Sequence, residues 1–232
     1  MIGKKIINGI IIAISIILIG FVVIFSLLPN VVLNVLVTIG GFIIPICMIL
    51  ITMIVEIKKA EDLQEKNKIR DFWLRILFII YCILLITILF LNNEYRMSGF
   101  QSININTFSR EHFETINIIP FSTILSYISG LLFDDISMSI VIINLVTNLL
   151  LFAPMGFFIP LLFKDKITNI KQFIILIIIL SLFVEILQFI TYRGSTDIDD
   201  IILNTIGAII IYILMKTRLA KITLEKALDI AE

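Results

Sequence analysis

Long apolar runs, each closed by a short cluster of charged or turn-forming residues, organise the chain from end to end. A hydrocarbon core of about 30 Å takes about 20 helical residues to cross, so runs of this length predict membrane-spanning helices. Six are predicted, over residues 6–28, 31–57, 76–91, 140–163, 172–192 and 201–215. Pro29-Asn30 supplies a tight turn after the first, and the charged stretch 58–75 reads as a loop before the third. Gly40, Gly41 and Pro45 lie inside the second run, where they would weaken a helix in water but are tolerated between packed membrane helices. Residues 92–139 are more polar. Within them 122–133 is apolar but too short to span, which fits an interfacial or re-entrant helix.

The expected fold is therefore all-α: a polytopic integral membrane protein with about six transmembrane helices plus one extracytoplasmic interfacial or re-entrant helix. The expected organisation is an N-terminal three-span region, 1–91, with a cytoplasmic loop at 58–75, then a second membrane domain, 92–216, and a cytoplasmic tail, 217–232.

Composition strengthens this reading. Hydrophobic residues make up 59% of the 232, and the mean hydropathy is +1.12, whereas soluble domains are about 45–50% apolar. A soluble enzyme is excluded, because a water-facing surface cannot be built from so few polar residues. Cys47 and Cys82 each lie in an apolar run without a CxxC partner and read as small buried hydrophobes. Lys4 and Lys5 ahead of an apolar run also suit a signal peptide. The run is too long for one and no Ala-x-Ala site follows, so an uncleaved first span is expected.

The formal net charge is zero, but its distribution is not even. With the N-terminus in the cytoplasm, fifteen of the eighteen Lys and Arg fall on the inner side, and only Arg96, Arg110 and Arg193 fall outside. The positive-inside rule then puts both termini in the cytoplasm of a cell-membrane protein. The outward half is acidic: Glu94, Glu111, Glu114, Asp134, Asp135, Glu185, Asp197, Asp199 and Asp200.

An ionisable residue within a span is costly and marks a candidate functional site. Glu185, in the fifth span, is the clear case, with Gln188 at i+3 on the same helix face. The fourth span carries Asn144 and Asn148 at i, i+4, and Pro154 predicts a kink beyond them. The sixth span opens with Asp197, Asp199 and Asp200, followed by Asn204 and by Gly207, which would let another helix approach closely. These groups share a depth in the outer half of the bilayer, and an outward-opening polar pocket would gather them. Arg110 and Arg193 are the nearby cations. The bland alternative is that the asparagines, and the Glu185 carboxylate, are polar glue between helices, and that the aspartates are a solvated loop and helix cap. His112 is the only histidine, and no thiolate cluster accompanies it, which argues against a transition-metal site. No metal and no cofactor are expected. Nor is there a phosphate-binding glycine loop, a serine elbow or a basic stripe for nucleic acid.

Taken in order, Asn117-x-x-Pro120-Phe121, Asn148-x-x-x-Phe152-x-Pro154-x-Gly156 with Pro160, Glu185-x-x-Gln188, Arg193, Asp197, Asp199-Asp200 and Asn204-x-x-Gly207 resemble the VanZ-like family. The resemblance covers roughly 110–212. Arg110 matches the family's upstream arginine less well, its spacing to Asn117 being longer than usual. The resemblance implies a membrane protein of Gram-positive bacteria linked to resistance to lipoglycopeptide antibiotics, teicoplanin above all. It supplies a phenotype and no reaction.

Three functions are compatible with these residues. One is a non-enzymatic factor whose pocket, with Arg110, Asn117, Asn144, Asn148, Gln188, Asp197 and Asn204 as candidate binding residues, holds a lipid-linked cell-wall precursor or excludes the lipoglycopeptide. The second is an intramembrane enzyme with Glu185 as general acid/base, Arg193 binding an anion and Asp200 orienting a water or a metal. The third is a proton-coupled transporter, weakened by the lack of a detectable inverted repeat. Membrane lipids are the expected partners in each.

Overall fold

A computed structural model describes residues 2–28, 35–91, 116–133, 137–191 and 196–217. Its helices are α1 (Ile2–Leu27), α2 (Val35–Lys59), α3 (Leu63–Ile86, continued by a π-helical turn, Thr87–Leu91), α4 (Ser122–Leu132), α5 (Met138–Leu151), α6 (Met155–Leu162), α7 (Ile170–Thr191) and α8 (Ile198–Lys216). There is no β-strand among the described residues; one isolated parallel bridge joins Asn117 to Asp197. Among the described residues six segments are long and apolar enough to cross a membrane: Ile6–Leu27, Leu36–Lys59, Leu63–Leu91, Asn144–Leu162, Ile170–Thr191 and Ile198–Lys216. The protein is an all-α, multi-pass membrane protein. Two helix hydroxyls return to their own backbones, Thr52 to the Met48 carbonyl and Thr191 to the Leu187 carbonyl, both at 2.7 Å, so neither donor is left facing lipid.

The helices fall into two compact units. In the first, α2 packs between α1 and α3. The stretch 58–75, expected to be a loop, is helical from Leu63 onward. The Asp62 side chain caps the N-terminus of α3 by accepting the Glu65 N–H, with Glu65 in the first turn favouring the helix dipole. Charged residues thus extend a spanning helix beyond its apolar part, which hydropathy alone cannot separate from a loop. This unit also buries a carboxylate that the sequence reading passed over. Glu56, 7% exposed, accepts from Asn8 Nδ2 at 3.0 Å and from Trp73 Nε1 at 2.6 Å, so α1 and α3 both bond to α2 at one point.

The second unit is organised around α8, against which α4, α5, α6 and α7 all pack. Two glycines set how close they come. A Cβ on Gly207 would overlap the Leu149 carbonyl of α5, and a Cβ on Gly156 of α6 would overlap the Ala208 carbonyl of α8. Backbones this near need glycine, as Gly207 was expected to allow. The fourth span is broken at Pro154. Residues 152–154 form a turn, and the i→i−3 bonds Met155 N to Phe152 O and Gly156 N to Ala153 O, each 3.0 Å, keep the interrupted backbone satisfied. Toward the other end of α8, Phe173 stacks on Tyr212 with ring centroids 4.4 Å apart, and Lys216 Nζ lies 4.8 Å from the Tyr212 ring.

Candidate functional site

The N-terminal end of α8 gathers most of the polar residues singled out from the sequence. Asn117 enters first, through its backbone. Its N–H donates to the Thr196 carbonyl (2.8 Å) and its carbonyl accepts the Ile198 N–H (3.0 Å). Its side chain then divides its work. Nδ2 donates to Asp197 Oδ1 (3.0 Å) and Thr123 Oγ1 (2.9 Å), and Oδ1 accepts the Ile119 N–H (3.1 Å). Asp197 also accepts the Thr123 hydroxyl and the Asp199 N–H (2.9 Å). Every oxygen of the Asp197 carboxylate is therefore engaged.

Asp199 is the deepest of the three aspartates, 1% exposed. It accepts the backbone N–H groups of Phe121, Thr123 and Ile124, the last two at 2.9 and 3.0 Å. These are donors at the N-terminus of α4, so Asp199 caps a helix that lies more than seventy residues upstream, and its charge suits the positive end of that helix. Phe121, held by the same carboxylate, has φ 66°, a left-handed conformation unusual for a bulky residue. The alternative of a solvated loop does not match the burial of Asp197 and Asp199, with Asp200 half-buried, and the helix that Asp199 caps is α4.

Asp200 points elsewhere. It accepts from Asn148 Nδ2 and so joins α5 to α8. Glu185, 2% exposed on α7, accepts the Asp197 N–H at 3.1 Å through Oε2, and the Asp200 carboxylate acts on it electrostatically. One helical turn deeper, Asn204 Nδ2 donates to Ser181 Oγ of α7 at 3.0 Å. Among the described residues no Lys or Arg makes an ion pair with any of these four carboxylates. Nor is any group of three His, Cys, Asp or Glu arranged to hold a metal ion among them.

Of the residues expected at the site, Asn117, Asn148, Glu185, Asp197 and Asp200 come together, with Asn204 one turn below. Asn144 and Gln188 lie on α5 and α7, both half-buried. Arg110 and Arg193 lie outside the described residues. The sequence reading missed Thr123 and Ser181, whose hydroxyls give no pattern of their own. It also missed Tyr127 of α4, whose hydroxyl is pushed above the ordinary phenol value by burial, then by the charges of Asp200 and Asp197.

Six apolar spans, a short extra helix clamped by a buried aspartate, and a carboxylate cluster at the junction define a class: a polytopic membrane protein with a polar core at one end of its second unit. The chain belongs to the VanZ/LLP1 family, whose model matches residues 78–221. Over 64 residues it is 39% identical to Protein VanZ of Enterococcus faecium, a stretch that is 28% of this chain and 38% of that protein. No solved structure matches it significantly.

Proposed function

We propose that this protein contributes to resistance to teicoplanin-type lipoglycopeptides from the cell membrane of a Gram-positive bacterium. In this reading both termini are cytoplasmic and the Glu185–Asp200 end of α7 and α8 faces outward. An outward-facing polar pocket there binds a lipid-linked cell-wall precursor or limits access of the antibiotic. The observation that carries the reading is a division of labour among the carboxylates. Asp197 and Asp199 each accept three hydrogen bonds, spread over both oxygens, in the junction with Asn117 and α4. Asp200 and Glu185 each accept one hydrogen bond among the described residues and keep acceptor capacity for a ligand. The similarity to Protein VanZ and the inner location of fifteen of the eighteen basic residues support the same placement.

The test is binding. Full-length protein in nanodiscs is titrated with teicoplanin and with lipid-linked cell-wall precursor. Retention of either by wild type, weakened at least tenfold by Asp200→Asn, is expected. No affinity for both ligands removes the reading. A second reading, an intramembrane enzyme with Glu185 as acid/base and Arg193 as anion binder, is favoured by the near-complete burial of Glu185. It requires a changed headgroup or precursor in cells that carry the protein.

A further inference from the structure

The polar end of α7 and α8 has a depth beyond the carboxylates. α7 and α8 run antiparallel, and two hydrogen bonds fix their register. At the outer level the Asp197 N–H meets Glu185, and at the inner level Asn204 meets Ser181. Ser181 and Glu185 are four residues apart on α7, as are Asp200 and Asn204 on α8, so each pair shares a helix face. Glu185 and Asp200 therefore stand one turn above the Asn204 side chain.

Asn204 is 2% exposed, and its Oδ1 finds no hydrogen-bond partner among the described residues. A buried amide oxygen left unpaired is costly. Asn204 Nδ2 is committed to α7, so its oxygen is held between the two helices, beneath the two carboxylates. At this end of the two helices Glu185 and Asp200 each accept one hydrogen bond among the described residues, and Asn204 Oδ1 accepts none, so three side chains keep unused acceptor capacity.

We propose that Glu185, Asp200 and Asn204 form a binding site for a primary ammonium group. This inference rests on the pocket described above and names its ligand chemistry. An ammonium group carries three N–H donors and no acceptor, which matches three acceptor side chains. Its charge offsets the two carboxylates, which no described cation pairs. Phosphate and carboxylate groups are repelled from the same place. A quaternary ammonium carries the charge without the donors, so it leaves Asn204 Oδ1 unpaired. The site thus separates ethanolamine-type from choline-type groups, whether they sit on a lipid or are free in solution.

Native mass spectrometry of the full-length protein, offered equimolar phosphatidylethanolamine and phosphatidylcholine, tests this without any mutation. Wild type is expected to retain the ethanolamine lipid at least about tenfold more than the choline lipid, because a quaternary ammonium makes none of the three N–H bonds and the loss of even one charge-assisted bond is worth about that factor. Asp200→Asn, which keeps the shape, is expected to reduce that ratio toward unity. A second arm adds free ethanolamine or choline to protein in phosphatidylglycerol nanodiscs. A rise in melting temperature with ethanolamine alone, and no lipid preference, assigns the site to a soluble amine. Equal retention of both lipids together with no effect of ethanolamine overturns the inference. If Asp200→Asn still weakens teicoplanin or precursor binding at least tenfold in that case, the pocket stands and only its ammonium ligand falls.

Discussion

Asp199 and Asp200 are neighbours with different tasks. Successive residues of a helix point about 100° apart, so Asp199 meets the amides of α4 while Asp200 meets Asn148 of α5. In sequence the two form one acidic cluster, and nothing local distinguishes them. The partners of Asp199 begin at Phe121, seventy-eight residues away, and backbone amides carry no sequence signature. Asp199→Ala leaves three N–H groups at the α4 N-terminus without their acceptor and is expected to destabilise the protein by about 3 kcal/mol or more. The milder Asp199→Asn is expected to speed hydrogen exchange at the amides of Phe121, Thr123 and Ile124. Unchanged exchange there would show that the cap is not holding α4. Asp200→Asn should leave those amides protected, since Asp200 makes no bond to them. Glu56 shows the opposite failure of sequence reading: two residues from Lys58, it looks like the polar margin of a span, yet the Trp73 indole and the Asn8 amide hold it inside.

Elements were more legible than their partners. Apolar run length predicted all six spans and the short helix α4, because bilayer thickness imposes it. Pro154 predicted a break, and the fourth span divides there into α5 and α6. Boundaries failed where charge and helix coexist, as in the first three turns of α3. The glycines sort by environment, which sequence does not display. Gly207→Ala places a methyl against the Leu149 carbonyl and is expected to force α5 and α8 apart, with a large drop in melting temperature or in membrane level. Gly20→Ala has nothing within 4 Å of the new methyl and is expected to leave both unchanged or slightly raised. Thermal unfolding of the two variants in detergent measures the contrast. Equal stability of the two would mean that α8 is not approached through Gly207.

At the scale of the whole molecule, charge asymmetry gives the proposed orientation and the carboxylates give the proposed outer site. Protein fused at its C-terminus to a reporter that fluoresces only in the cytoplasm is expected to be fluorescent. An alkaline phosphatase fusion after Phe133 is expected to be active, and the reverse pattern would invert the topology. The central claim is that the carboxylates left over from the α4 clamp act on a ligand at the outer surface. Teicoplanin susceptibility tests it most directly, in a sensitive Gram-positive host expressing wild type, Glu185→Gln or Asp200→Asn, with membrane levels matched by immunoblot. Protection by wild type, and its loss in both variants at equal membrane level, is the predicted result. Equal protection by all three would contradict it and leave Glu185 and Asp200 as bonds between helices.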